Sequence, residues 1–384
     1  MLQSTPVWMW IAGFLLVLGP LVTLHELGHY LVGRWFGVGA KAFSIGFGKE
    51  LTGWTDSRGT RWKVSALPLG GYVQFKGDMN AVSMPRPEND EAVFGMATPA
   101  DLAEEDERSV VGTPFHKASL WKRALIVFAG PGANLLITLA IFASFNVLYG
   151  KLEANTEIGG FADVSVARDA GLEVGDEIVA VDGRPIPDFQ ALSRQTLMYP
   201  GKDVTITVER DGDVFDVLLT IGDVTETDQF GNESRIGRLG VAAAAPDIVA
   251  VGPVEAVTLA VGQTIDLFEM MITGIVQIVT GERSVKELGG PIKIAKFSGE
   301  QLSLGLPSFV QFAAFISLNL AFINLLPIPA LDGGHLAFYA AEAVRRKPVG
   351  PRGQELAYKT GIALVLMLML VVTVNDVASL VFTG

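Results

Sequence analysis

Residues 1–25 read MLQSTPVWMWIAGFLLVLGPLVTLH and contain no Asp, Glu, Lys or Arg. A helix of this length crosses the hydrocarbon core of a bilayer, which is about 30 Å thick. Three further stretches of the 384-residue chain lack charge: 124–150, 301–331 and 360–375. The last is short, but it spans if its helix runs from about Leu356 to Phe382. The sequence therefore predicts an α-helical polytopic membrane protein with four transmembrane helices.

The composition supports this class and limits the chemistry. The chain is 49% hydrophobic and 18% charged, and its mean hydropathy is +0.40. A net charge of −12 argues against a nucleic-acid-binding protein, which needs clustered Lys and Arg on one face. Since there is no cysteine, any metal must be held by His, Asp or Glu. The four histidines are His25, His29, His116 and His335.

The distribution of Lys and Arg orients the four spans. None precedes Arg34 and none follows Lys359, whereas five lie between 345 and 359, in the link between spans three and four. The positive-inside rule then places this link, and the link between spans one and two, in the cytoplasm. Both termini and the region 151–300 are expected outside. The first segment lacks the basic start and the cleavage site of a removable signal peptide, so it is expected to be retained.

These observations predict an order of domains along the chain. The region 253–280 is apolar but is interrupted by Glu255, Asp266 and Glu269, so it is expected to lie on the membrane surface. The expected parts are a first span at 1–36, a membrane-associated β-loop at 37–80, a cytoplasmic loop at 81–120, a second span at 121–150, a PDZ-like periplasmic domain at 151–245, amphipathic surface helices at 246–300, a third span at 301–335, a cytoplasmic loop at 336–355, and a fourth span at 356–384.

The external region has the pattern of a small β domain. Val204–Val208 and Val214–Leu218 flank Asp211-Gly212, a pair that favours the tight turn of a β-hairpin. A further strand is predicted at Glu177–Val181. The stretch Ala170–Pro185 resembles the core of a PDZ domain, a fold that binds peptides by adding a strand to its sheet edge. A small β domain without a ligand remains the alternative.

A metal-binding motif lies near the inner end of the first span, where the sequence reads Leu24-His25-Glu26-Leu27-Gly28-His29. On a helix, His25 and His29 lie on one face and present two nitrogens to one Zn²⁺. Glu26 lies beside the remaining coordination position, where a general base takes the proton of an attacking water. Ionisable residues inside a membrane span are functional candidates by default. The alternative is a set of polar side chains that only joins helices.

A third ligand is needed, because a catalytic zinc ion usually has three protein ligands. The best source is the end of the third span, which reads Asn324-Leu-Leu-Pro-Ile-Pro-Ala-Leu-Asp332-Gly-Gly-His335. The first and third spans both run inward, so their inner ends lie at the same level. The two prolines interrupt the helix just before Asp332. Asp332 and His335 are rival candidates for the third ligand, and His116 is expected to be solvated.

The region after the first span predicts an apolar β segment beside the presumed active site. Lys63–Phe75 is expected to form a β-hairpin with Gly70-Gly71 at its turn or kink, near Phe43–Phe47. An exposed strand edge there would hold a substrate in extended form. Helical substrates need this, because their carbonyls are hydrogen-bonded within the helix. The alternative is a hairpin that only covers the cytoplasmic face.

Together these motifs resemble the site-2 protease family of intramembrane zinc metalloproteases, in its bacterial regulator-of-sigma-E type. The resemblance rests on His25–His29, Pro68-Leu-Gly-Gly-Tyr72, Gly130-Pro-Gly-Ala-Asn134, the PDZ-like domain and Asn324–Gly334. It implies that one Zn²⁺ is bound by His25, His29 and Asp332, with Glu26 as the general base. It also implies that Asn324 positions substrate or stabilises the oxyanion, and that the loop of Gly70, Gly71 and Tyr72 binds substrate. The better-known members have two PDZ domains, whereas this chain has room for one.

The resemblance implies a protease of the bacterial inner membrane, with its active site near the cytoplasmic side. Its expected partners are the lipid bilayer and single-span membrane protein substrates, such as anti-sigma factors or remnant signal peptides, already trimmed by a first protease. A peptide or a trimmed ectodomain is expected at the PDZ-like domain. Two other functions remain open: a catalytically silent PDZ scaffold, and an anchored metalloprotease that cuts soluble cytoplasmic chains. The acidic run at 101–107 is expected to be a solvated loop.

Overall fold

The structure is a computed structural model and describes residues 5–77, 110–227, 233–244, 247–347 and 349–382. The acidic run at 101–107 and most of the predicted loop 81–120 lie outside the described residues. The chain divides into two units. One is Phe142–Glu287, and the other combines Thr5–Ile141 with the chain from Leu288 onward. We call the second the membrane unit, and it contains every motif residue quoted above for the active site.

The first half of the membrane unit contains two long apolar helices with a sheet between them. Helix α1 begins directly after Pro6, continues through Pro20, and ends before Gly37, which has a φ of +77°. A short 3₁₀ turn, Phe115–Lys117, precedes the second helix. The elements are α1 (Val7–Trp35), β1 (Ala40–Thr55), β2 (Arg61–Phe75) and α2 (Leu120–Tyr149).

Strands β1 and β2 form a sheet of four segments, because both strands bend. Residues 42–45 pair with 71–74 on one side and with 61–64 on the other, and 52–55 pair with 61–64 in turn. The segment 71–75 is therefore an outer edge of this sheet within the described part of the chain. The predicted hairpin inside Lys63–Phe75 is wrong: this stretch belongs to one strand, kinked at Gly70, whose φ is +146°.

The unit Phe142–Glu287 contains a β domain (residues 151–249). Its elements are β3 (Lys151–Glu153), β4 (Ile158–Phe161), α3 (Val166–Asp169), β5 (Glu177–Val181), β6 (Arg184–Pro185), α4 (Phe189–Leu197), β7 (Asp203–Arg210), β8 (Asp213–Thr220), β9 (Gly222–Thr227), β10 (Glu233–Arg238), β11 (Val241–Ala243) and β12 (Asp247–Val249). The four-stranded sheet has the order β6-β5-β7-β8. Pairing of Arg210 with Asp213 leaves Asp211-Gly212 as a two-residue turn with positive φ at both positions. The predicted strand Glu177–Val181 and the predicted hairpin are thus confirmed.

The same unit ends with helix α5 (Pro253–Thr280), which is amphipathic. Its polar side contacts the β domain: Asp266 lies 3.2 Å from Arg194, and the Gln277 Nε2 donates to the Met198 carbonyl at 2.8 Å. Its opposite side carries a row of exposed aliphatic side chains at helical spacing. They are Val254, Val257, Val261, Ile265, Ile272, Val276 and Val279.

Four helices complete the membrane unit: α6 (Pro291–Ser303), α7 (Leu306–Leu325), α8 (Asp332–Arg345) and α9 (Pro351–Phe382). The predicted span 301–335 is therefore divided, and most of the predicted loop 336–355 is helical. The interruption between α7 and α8 contains Pro327 and Pro329, which lack the backbone N–H that a helix needs. Gly333 packs so closely there that a Cβ atom would collide with the carbonyls of Leu325 and Leu326. Asp376 of α9 is buried and accepts backbone N–H groups from Gly290, Ile292 and Lys293 at the start of α6.

The described residues include five helices that are long and apolar enough to cross a membrane, whereas the sequence predicted four. Four of the five correspond to the predicted spans: α1, α2, α7 and α9. The fifth is α5, whose three acidic residues had indicated a surface helix. Length and composition alone do not distinguish whether α5 spans the membrane or lies on its surface. The contacts of α5 with the β domain therefore bear on this question.

Candidate metal centre

Helices α1 and α8 bring together the three residues predicted to bind metal. The His25 Nε2 lies 3.2 Å from the His29 Nε2 and 3.2 Å from the Asp332 Oδ2. The His29 Nε2 lies 3.5 Å from the same carboxylate oxygen. Both imidazoles are buried, and Asp332 is nearly so. Within the described residues, the Asp332 Oδ2 is a buried oxygen without a hydrogen-bond partner.

These atoms fit a zinc ion. Bonds of about 2.0–2.1 Å in a tetrahedral site place neighbouring ligand atoms about 3.3–3.4 Å apart. The three observed separations bracket this value, so the ligand atoms match one face of the tetrahedron. When both imidazoles carry their proton on Nδ1, the two Nε2 lone pairs and the carboxylate oxygen converge at this distance, an arrangement that a cation stabilises. Two nitrogens and one oxygen are also a donor set that zinc accepts, and they leave a fourth position open.

The hydrogen bond on the far side of His29 sets its orientation. The His29 Nδ1 lies 2.8 Å from the Ile126 carbonyl oxygen, which can only accept. The proton therefore resides on Nδ1, and Nε2 presents its lone pair toward Asp332. Metal-binding histidines commonly carry such a bond, because it fixes both the tautomer and the ring.

Gly130 of α2 lies directly beside the two imidazoles. A Cβ atom there would collide with the His29 Nε2 and lie 2.8 Å from the His25 Nε2. Gly28 of α1 packs closely against α2, because a Cβ atom on Gly28 would overlap the Ala129 carbonyl. The two glycines thus allow the backbones to approach until α2 forms a wall of the centre. Any side chain at Gly130 would occupy space next to the metal ligands.

A cavity of about 180 Å³ adjoins the three ligands and contains the other predicted catalytic residues. Glu26 and Asn324 both line it, as do Val73 and Phe75 of the outer segment of β2. The backbone of Ala330, also in the wall, has a φ of +106°, a region that costs a residue with a Cβ about 1–3 kcal/mol. Such strain is typical of functional sites.

The predicted β-loop residues Gly70, Gly71 and Tyr72 do not line this cavity, whose wall begins with the next residue of β2, Val73. Gly71 lies beside Glu26, because a Cβ on Gly71 would be 3.4 Å from the Glu26 Cγ. Gly70 supports the kink and packs on the Phe47 ring. The Tyr72 ring stacks on Phe47 with their centroids 6.2 Å apart, and the Lys63 ammonium lies over it.

The two remaining histidines lie apart from the ligand cluster. His335 lines the cavity, but its ring is hydrogen-bonded to the Tyr358 hydroxyl at 2.8 Å. The structure therefore brings Asp332, not His335, to the imidazole pair. The His116 Nδ1 contacts the Gly77 carbonyl at 3.0 Å and is exposed. Residue-level reasoning missed Tyr358, because an aromatic residue 23 positions after His335 gives no local signal.

The chain was compared with known proteins. The sequence model of peptidase family M50 matches residues 13–368. The chain belongs to peptidase family M50, the site-2 protease family. A protein named "Putative zinc metalloprotease" in Agrobacterium fabrum is 41% identical over 97% of this chain and 96% of its own length. Another of that name in Brucella suis is 42% identical over 94% and 93%. "Metalloprotease MmpA" of Caulobacter vibrioides is 32% identical over 95% and 94%.

The solved structures that match include the PDZ domain of an SdrC-like protein from Listeria monocytogenes. It covers 25% of this chain and 90% of its own, at 18% identity and a TM-score of 0.18, which is too low to support a fold. The predicted family and the predicted zinc cofactor are confirmed. This M50 protein is thus a membrane zinc metalloprotease with His25, His29 and Asp332 as its candidate metal site.

Proposed function

We propose that this M50 protein is an intramembrane endopeptidase in which His25, His29 and Asp332 hold the catalytic zinc ion. The observation that carries this proposal is the convergence of these three ligand atoms beside Glu26. His25, Glu26 and His29 lie on α1, which contains no charged residue before the motif and only Arg34 after it. A site at that depth meets peptide bonds of membrane-embedded segments before it meets soluble chains.

The zinc ion supplies Lewis acidity, which lowers the pKa of the attacking water and polarises the substrate carbonyl. Glu26 is proposed to take the proton from that water and to deliver it to the leaving amine. Asn324 lines the same cavity and carries an amide N–H donor, so it is proposed to stabilise the negative charge that develops on the carbonyl oxygen. Gly71 packs between Glu26 and the Ser44 carbonyl, where a side chain would collide.

The outer segment 71–75 of β2 is proposed to bind the substrate as an added strand. It pairs with 42–45 on one side, and Val73 and Phe75 from this segment line the cavity. A peptide that joins its other edge is extended, so its carbonyls are no longer hydrogen-bonded within a helix. The proposed substrates are therefore single-span membrane proteins whose helices unwind, of the anti-sigma factor or remnant signal peptide kind.

We also propose that the chain crosses the bacterial inner membrane four times and that α5 lies on its outer surface. The polar side of α5 is attached to the β domain at Asp266 and Gln277, so a spanning α5 would draw charged Arg194 into the hydrocarbon. Its exposed aliphatic row suits a helix lying in the interface. By the positive-inside rule, the β domain is periplasmic, where it would meet a peptide or a trimmed ectodomain.

The test uses purified protein and a single-span substrate in liposomes. Glu26→Gln should abolish cleavage by more than about 100-fold, the usual contribution of a general base, while zinc content stays at the wild-type level. His25→Ala should lose both the cleavage activity and the bound zinc. Helix-breaking Gly substitutions in the substrate span should raise the cleavage rate. Unchanged cleavage by Glu26→Gln would refute the assignment, and faster digestion of an unfolded soluble protein would favour an anchored protease of soluble chains.

A further inference from the structure

Asn134 of α2 is a buried polar side chain that contacts a metal ligand and has no role in the chemistry above. Its Nδ2 lies 3.3 Å from the His25 Nδ1, the ring atom that faces away from the metal position. The Asn134 Oδ1 is buried and has no partner within the described residues. The residue is fully buried, and its own carbonyl is held by the Ser317 hydroxyl at 2.9 Å. The backbone at this position is therefore fixed by α7.

The tautomer of His25 decides which amide atom of Asn134 can face it. When the His25 Nε2 binds zinc, that atom needs its lone pair, so the proton must reside on Nδ1. A protonated Nδ1 is a donor and requires an acceptor. The amide Nδ2 is a donor as well, so the two groups would oppose each other in the present orientation. Rotation of the amide by 180° exchanges its nitrogen and oxygen at nearly the same positions.

We propose that Asn134 is a positioning residue for the metal centre, whose Oδ1 accepts the Nδ1–H of His25 in the zinc-bound enzyme. The proposal rests on the assignment of His25 as a zinc ligand. The Asn134 Oδ1 would then accept the Nδ1–H of His25, just as the Ile126 carbonyl accepts the Nδ1–H of His29. In the orientation observed, Nδ2 donates to the His25 Nδ1 and leaves the proton on Nε2, which faces Asp332 at 3.2 Å. The Asn134 amide can thus hydrogen-bond the His25 ring in the metal-free protein through Nδ2 and in the zinc-bound protein through Oδ1.

The matched variants are Asn134→Leu, Asn134→Asp and Thr138→Val. Leu removes the acceptor at similar volume, whereas Asp keeps an acceptor on both sides of its carboxylate. Thr138 lies one turn further along α2, and its hydroxyl can donate to the backbone carbonyl of Asn134 at 3.0 Å or to the Ala314 carbonyl of α7 at 3.1 Å. Thr138→Val therefore removes a hydrogen bond from the same helix contact without touching His25. His25→Ala shows separately whether His25 is a ligand.

Zinc affinity of the full-length protein in detergent is measured by competition with a chelator, and the absorption spectrum of the cobalt-substituted protein reports ligand geometry. Asn134→Leu should weaken zinc about 10- to 100-fold, the usual effect of removing such a partner, and should alter the cobalt spectrum. Asn134→Asp and Thr138→Val should stay within about threefold of wild type. If Asn134→Leu does not fold, Asn134→Ala replaces it.

Wild-type zinc affinity and an unchanged cobalt spectrum in Asn134→Leu or Asn134→Ala would overturn the proposal. It would also be overturned if Asn134→Asp bound zinc as weakly as Asn134→Leu, because only packing would then matter. If His25→Ala loses zinc while either of these results is found, the assignment of the metal site stands and only the role of Asn134 is rejected. Full zinc binding by His25→Ala would instead refute the site itself.

Discussion

At the scale of single residues, the metal centre depends on the missing side chain of Gly130 as well as on its ligands. Gly130 has no side chain, and this absence lets α2 approach within contact of both imidazoles. Zinc affinity requires that two ring nitrogens and one carboxylate oxygen hold separations near 3.3 Å, so a shift of either ring is costly. The His29 ring is fixed by a backbone carbonyl and cannot swing away without losing that bond.

Gly130→Ala should therefore lose zinc. A methyl group at this position collides with the His29 ring, and overpacking of this kind costs about 1–3 kcal/mol, or about 5- to 150-fold in affinity if it falls on metal binding. Zinc content after dialysis against a weak chelator is the measurement. Gly132→Ala is the control, because its Cβ would meet only the Phe128 ring at an ordinary 3.4 Å. Equal zinc retention by both variants would contradict this account.

At the scale of elements, the β domain contains a buried ion pair that its strand pattern does not reveal. The Arg210 guanidinium at the end of β7 makes two hydrogen bonds, of 2.6 and 2.7 Å, to the Asp176 carboxylate, which is 1% exposed. These bonds hold the pKa of Asp176 below its ordinary value, against the opposing effect of desolvation. The pair joins the start of β5 to the end of β7.

The lowered pKa gives the sign of a pH effect. Stability from this pair is fully present above the unfolded-state pKa, about 3.9, and is lost as the pH falls through the lower folded-state value. Asp176→Asn should cost about 1.5–3 kcal/mol at pH 7 and should flatten the acid dependence. Protease cleavage within the β domain of the intact protein, followed against temperature at pH 7 and pH 3, measures this. Asp223→Asn, which breaks an exposed and solvent-screened pair with Arg235, should cost less stability than Asp176→Asn. A larger loss there than at Asp176 would contradict the prediction.

Elements also differ in how far the sequence predicts them. The His25–His29 spacing, the Asp211-Gly212 turn and the apolar helices α1, α2, α7 and α9 follow from local sequence patterns, and the sequence was sufficient to indicate them. The helix starting at Asp332 was missed, because two prolines and two glycines indicate a loop when close packing is not considered. The sheet order was missed because 42–45 pairs on both sides, and such pairing depends on bends at glycines that a period-two pattern does not contain.

At the scale of the whole molecule, the same limit applies to the metal centre. The resemblance named three ligands, and Asp332 could be favoured over His335 only with its help. Proximity of α1, α2 and α8 is a property of the folded chain, so Gly130 and Asn134 had no assigned role before the structure. The motif Gly130-Pro-Gly-Ala-Asn134 carried a signal of family membership without indicating which of its residues faces the metal.

The proposed orientation of the molecule is directly testable, because the chain has no natural cysteine. Single cysteines replace exposed Asp213 in the β domain and exposed Lys347 in the basic link before α9. In intact cells with a permeable outer membrane, an impermeant maleimide should label Asp213→Cys and should label Lys347→Cys only after lysis. Labelling of both in intact cells, or the reverse pattern, would contradict a periplasmic β domain and the positive-inside assignment.

Whether one zinc ion lies among His25, His29 and Asp332 is tested by a crystal structure of the zinc-loaded protein, with diffraction data on both sides of the zinc absorption edge. We expect a single anomalous peak bonded to the two Nε2 atoms and to the Asp332 carboxylate at about 2.0–2.2 Å. The His335 ring should keep its bond to Tyr358. A peak bonded to His335 in place of Asp332, or no peak between α1 and α8, would contradict this expectation.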